Sequence, residues 1–139
     1  MSVNTIDWSP KFETGVAAVD HEHQELISLI NDMLWGLDSG MAAIAGSEAL
    51  GEIYARISAH FALEERTMRE MSYAGYADHK ADHEQLLEDI RDIMDDYEAG
   101  KAGATKVLPK RLTDWFTVHF QTHDAKLHTW QDKKSDQTT

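Results

Sequence analysis

Along four stretches of this chain, apolar residues recur at intervals of three and four, and each stripe carries histidine. That spacing puts side chains on one face of an α-helix and points the face into a core. The first stripe is Leu26, Ile27, Ile30, Met33, Leu34 and Leu37, extended backward by His23. The second is Leu50, Ile53, Ile57, Phe61, Met68 and Met71, and His60 and Glu64 fall on the same face. His79 and His83 lead into Leu86, Leu87, Ile90, Ile93, Met94 and Tyr97, while His119 follows Leu108, Leu112, Trp115 and Phe116. A chain built this way turns several imidazoles and a carboxylate toward hydrocarbon when it folds.

The pattern predicts an all-α protein. Asp20 is the expected N-cap of a first helix reaching Asp38, and residues 1–19 read as an arm anchored by Trp8 and Phe12. A second helix is expected over 41–71, followed by the loop "SYAGYAD", and a third over 78–99 with Gly100 as its C-cap. A fourth is expected over 105–130, with Pro109 tolerated in its first turn. Short connections suggest one domain over 1–139, an antiparallel up-down-up-down four-helix bundle. Alternating direction then brings His23, His60, Glu64, His79, His83 and His119 to one end of the bundle.

Composition narrows the chemistry. The absence of cysteine excludes disulfides, thiolate metal sites and a thiol nucleophile. A formal charge of −12 argues against nucleic acid and anionic membrane as partners. No apolar run is long enough for a membrane span, and "MSVNTIDWSPKF" lacks the features of a secretory signal, so the cytoplasm is the expected location.

A buried imidazole or carboxylate without a partner costs a few kcal/mol. Six such groups in one layer would take up much of the roughly 5–15 kcal/mol by which a domain is stable. A shared metal removes that cost by becoming the partner of every group. One zinc needs four ligands, and at least six are on offer, which points to a second metal. Calcium and magnesium prefer oxygen, whereas mixed imidazole and carboxylate suits iron, manganese or copper. The Glu-x-x-His motif of carboxylate-rich di-iron bundles is absent from the sequence. His-x-x-x-Glu (His60, Glu64) and His-x-x-x-His (His79, His83) stand in its place.

"VDHEHQEL" at 19–26, "HFALEERTM" at 60–68, "HKADH" at 79–83 and "HFQTHD" at 119–124 resemble the successive motifs of the hemerythrin family, in its bacterial single-domain form. The resemblance covers almost the whole chain, with all seven ligand positions filled in order. It implies two iron ions per chain, joined by an oxo or hydroxo bridge and by two carboxylates. His79, His83 and His119 would serve one iron and His23 and His60 the other, with Glu64 and Asp124 bridging both. Counting ligands on that assignment closes the three-histidine iron at six and leaves the other at five, an open position for dioxygen.

Spacing and resemblance disagree at one point. Asp124 lies five residues after His119, about 140° round a regular helix, whereas His123 at four fits the inward face better. Choosing Asp124 requires a π-bulge or overwound turn between 119 and 124. His21 reads as solvated, His128 as a surface residue or a cap rather than a ligand, and Glu65 as a surface group or salt-bridge partner. Ile27, Ile57, Leu86 or Leu87, and Trp115 lie a turn from the ligands and are expected to wall a dry oxygen pocket.

The expected function is therefore reversible dioxygen binding, for storage, delivery or sensing, by a monomer that is not an enzyme. A reductase or an oxygen-consuming enzyme would be its macromolecular partner. The competing reading is a di-iron peroxidase, oxidase or nitric-oxide-handling enzyme on the same scaffold.

Overall fold

The structure is a computed structural model that describes residues 5–14, 17–38 and 43–137. Among these residues the regular structure is all helical, without strands. Helix α1 spans Ala17–Asp38, α2 Ala43–Glu70 and α3 Tyr76–Glu98. The fourth rod is composite: α4 (Leu108–His119), a π-helical turn (Phe120–Asp124) and α5 (Ala125–Gln137). Packing of α1 on α2, α2 on α3 and α3 on α4 gives the four-helix bundle. The expected start of the second helix at Met41 and the side chain of Leu37 lie outside the described residues.

The stripes become the core. Leu26, Ile27, Ile30 and Leu34 of α1 bury against Leu50, Ile53, Ile57 and Phe61 of α2, Leu86, Ile90 and Ile93 of α3, and Leu108, Leu112 and Phe116 of α4. Met68, Tyr73 and Leu127 form a second small cluster, with Tyr76 and Trp130 against it. His79 and His83 on α3 and His119 on α4 share faces with these hydrocarbons and are as deeply buried.

Helix ends follow local chemistry. At the end of α3, Gly100 takes φ 77°, the left-handed conformation that glycine adopts without a Cβ penalty. Gly100 N–H donates to the Tyr97 carbonyl and Lys101 N–H to that of Asp96, a Schellman closure. A 3-10 turn, Ala104–Val107, precedes α4, so the α-helix opens at Leu108 rather than at Thr105, with Pro109 in its first turn. At the other end of the chain, α1 starts at Ala17, three residues ahead of expectation, and Asp20 is not its N-cap. Its Oδ1 accepts from the backbone N–H and hydroxyl of Thr14 at 2.7 and 2.8 Å, tying the arm to the first turn. A carboxylate there also suits the positive end of the helix dipole.

The arm is pinned twice more. Ile6 donates its N–H to Asn31 Oδ1 at 2.7 Å and accepts from Asn31 Nδ2 at 2.8 Å, so one side chain satisfies both of its backbone groups. Phe12 is buried and packs edge-on against Trp8 and Phe120, with ring centroids 5.3 and 5.9 Å away.

Candidate metal centre

All seven residues singled out in the sequence converge. Ligand-type atoms of Glu64, His79, His83, His119 and Asp124 lie within 4.8 Å of one another, and so do those of His23, His60, Glu64 and Asp124. The two carboxylates belong to both groups, and each divides its oxygens between them. Glu64 Oε1 lies 2.6 Å from His79 Nε2 and 3.3 Å from His83 Nε2, while its Oε2 faces His60 Nε2 at 3.9 Å. Asp124 Oδ1 lies 2.9 Å from His79 Nε2 and 3.0 Å from His119 Nε2, while its Oδ2 faces His23 Nε2 at 3.1 Å. Between them, Glu64 Oε1 and Asp124 Oδ1 face His79, His83 and His119, while Glu64 Oε2 faces His60 and Asp124 Oδ2 faces His23.

The fourth rod makes this possible through its π turn. Ala125 N–H donates to the carbonyl of Phe120, five residues back, so one extra residue is accommodated between His119 and Asp124. Both side chains point inward and are essentially inaccessible, whereas the His123 side chain remains 33% exposed. Thr122 contributes locally: its hydroxyl donates to the Val118 carbonyl at 2.6 Å, a bond that competes with the regular ladder.

A cation fits these donors on structural grounds. His119 Nε2 stands 3.2 Å from both His79 Nε2 and His83 Nε2, and neutral nitrogens at that separation oppose lone pairs unless a proton or metal intervenes. Among the described residues, both His23 ring nitrogens, Glu64 Oε1 and both Asp124 oxygens are buried without a hydrogen-bond partner, although His23 Nε2 and Asp124 Oδ2 approach to 3.1 Å. Close approach without hydrogen-bonding geometry is what ligands of a common ion show. The same crowding sets the charges of the metal-free centre. Burial opposes ionisation of Asp124 and Glu64, yet the facing imidazoles hold both carboxyls below the usual range. Burial likewise opposes charge on His79, but Asp124 and Glu64 outweigh it and raise its pKa to about 9. His119 and His128 move upward for the same reason, whereas burial takes His60 downward.

Two carboxylates that the sequence reading left out of the site stand behind its ligands. His83 Nδ1 meets Glu65 Oε2 at 2.9 Å, and His119 Nδ1 meets Asp82 Oδ2 at 2.6 Å. Such contacts fix the ring and its tautomer so that Nε2 carries the lone pair. Glu65 is thus a salt-bridge partner, the second of its two expected roles, and its partner is a buried histidine. Its position beside Glu64 hid this, because adjacent residues diverge by about 100° on a helix and the neighbouring α3 has to supply the contact.

Aromatic rings enclose the histidines. Phe61 lies flat on His83 and Phe120 flat on His23, with centroids 3.8 Å apart in each pair, and Trp115 stacks on His119 at 4.1 Å. The residues expected to wall an oxygen pocket do not line the cavity beside the two-histidine group. A cavity of about 270 Å³ opens beside His23, His60 and Glu64, and Val19, Glu22, Leu63, Thr67, Leu127, His128 and Gln131 complete its lining. Ile27, Ile57, Leu86, Leu87 and Trp115 are not on it. The first three are core, Leu87 packs on the core edge, and Trp115 covers the three-histidine side. The cavity is of mixed polarity rather than dry, because the residues one turn toward the bundle middle pack on each other and the opening runs past α5. His128, read from the sequence as a surface residue or a cap, lies half-buried on this cavity.

Comparison with known proteins agrees with this geometry. Residues 14–130 match the model of the hemerythrin HHE cation binding domain. The chain is 32% identical to a hemerythrin of Siphonosoma cumanense over 119 residues, 86% of this chain and 88% of that one. It is 27% identical to a bacteriohemerythrin of Methylococcus capsulatus over 109 residues, 78% and 82% of the two chains. A myohemerythrin of Sipunculus nudus is 25% identical over 119 residues, 86% and 88% of the chains. With most of its length matched and the motif residues gathered at one end of a helical bundle, the chain belongs to the hemerythrin family.

Proposed function

We propose that the chain is a non-haem di-iron protein that binds dioxygen reversibly on its two-histidine side. The observation that carries this is the division of Glu64 and Asp124: Oε1 and Oδ1 turn to the group of His79, His83 and His119, and Oε2 and Oδ2 to His60 and His23. His79, His83 and His119 would hold one iron, His23 and His60 the other, and the two acids would bridge them. Two irons held by these residues would supply the two electrons with which dioxygen is bound.

The remaining work falls to the chain. Glu65 and Asp82 orient His83 and His119 and, as anions, raise their donor strength. Phe61 and Trp115 cover the three-histidine side, so small molecules have access from the cavity beside His60. Phe120, flat on His23, keeps water from that ring. Carriage rather than turnover, and a monomer as the working unit, complete the proposal.

Metal analysis with visible spectra before reduction, after reduction and after re-aeration tests it. The expected result is two irons per chain and a charge-transfer band that appears in air and disappears under vacuum. Immediate passage to a stable ferric spectrum, with continuing oxygen consumption when a reductant is supplied, would show turnover instead.

A further inference from the structure

We propose that the two ions are held unequally: the group of His79, His83 and His119 fills first and keeps its iron, while the ion at His23 and His60 exchanges through the cavity. Dioxygen capacity then follows iron supply, because the second ion decides whether the centre has two electrons to give. The inference rests on the di-iron reading above.

Donor number is the first difference. Five residues, Glu64, His79, His83, His119 and Asp124, bring atoms close enough to share one ion, against four for the other group, His23, His60, Glu64 and Asp124. Both carboxylates are common to the two groups, so the histidines decide. Their support differs. On the first side His83 is held at Nδ1 by Glu65 at 2.9 Å and His119 by Asp82 at 2.6 Å, acids that belong to neither group. On the second side His23 Nδ1 is buried without a partner, and the acids that act on His60 are Glu64 and Asp124, already shared. Removing one outer partner of this kind typically lowers metal affinity about 10–100-fold, so two of them widen the gap that donor number opens.

Access differs in the same direction. The side chains of His79, His83 and His119 are at most 1% exposed, whereas that of His60 is 21% exposed and lines the cavity. Phe61 and Trp115 lie flat on His83 and His119, while Phe120 lies on His23 and leaves the His60 side open. Glu22 stands on the cavity lining, and no lysine or arginine does among the described residues, so the passage attracts a cation rather than repelling it.

The test loads the full chain, E65Q and H60A with ferrous iron without air, counts iron per chain, and follows release to an excess of an iron(II) chelator. From the unaltered chain two irons are expected to leave in two equal phases, the first about a hundredfold faster, the ratio that two outer carboxylates supply. Samples taken between the phases and re-aerated should keep one iron per chain and lack the dioxygen-dependent band. E65Q should speed the slow phase about tenfold and leave the fast one unchanged. H60A should hold one iron and release it at the slow rate; should it fail to fold, the conservative E65Q decides alone. Two irons leaving the unaltered chain together at one rate would overturn the ordering and leave the di-iron reading intact. So would E65Q speeding only the fast phase, or a folded H60A chain that holds no iron. Fewer than two irons in the unaltered chain would overturn the di-iron reading and the ordering with it.

Discussion

Each histidine at the centre has two nitrogens with separate tasks, and the partner of one decides what the other can do. Removing the charge behind His83 or His119 leaves the ring in place but loosens its orientation and weakens its donor. Glu65→Gln and Asp82→Asn are therefore expected to lower metal affinity about 10–100-fold, read by competition with a chelator. Asp124→Ala is expected to lose metal outright, since it leaves His23, His79 and His119 without their shared anion, whereas His123→Ala should retain both ions by elemental analysis. Protonation supplies a third test. Because the pKa of His79 is raised to about 9 from 6.5, the metal-free protein holds a proton there that a metal has to displace. The stability contributed by that imidazolium is full below about pH 6.5 and is lost as pH rises through about 9. Metal affinity is expected to run the opposite way, rising up to about tenfold per pH unit across that window and levelling above it.

Single elements show where the sequence was legible. Helical stripes are a property of one segment, so α1 to α3 could be read from Leu26, Ile53 or Ile90 and their neighbours. Gly100 was legible as a helix stop for a similar reason: the left-handed turn after α3 favours the residue without a Cβ. Gly100→Ala is expected to cost about 1 kcal/mol and lower Tm by a few degrees in a calorimetric scan. The π turn was legible only through the clash between His119–Asp124 spacing and the helical period, with the family motif deciding between Asp124 and His123. What stayed hidden depends on contacts between elements. Asp82 and Glu65 matter because of how α2, α3 and α4 meet. The cavity runs past α5 because the residues assigned to its wall, such as Ile57 and Leu86, found hydrocarbon partners instead.

Across the whole molecule, the two sides of the centre are built differently. Two stacked rings and two carboxylates back the three-histidine side, while the two-histidine side has one stacked ring, Phe120 on His23, and meets a cavity. Among the described residues no helix is long and apolar enough to cross a membrane. The arm matters more than its position outside the motifs suggests. Trp8, Phe12, Phe120 and His23 form a continuous row of rings, with successive centroids 5.3, 5.9 and 3.8 Å apart. The span matched by the family begins at residue 14 and so omits the first two. A chain trimmed to that span would keep every motif residue while uncovering the outer face of Phe120, and it is expected to melt lower and release iron to a chelator faster than the full chain. Domain limits drawn by homology can thus leave out the outermost brick of a wall whose innermost brick is a histidine.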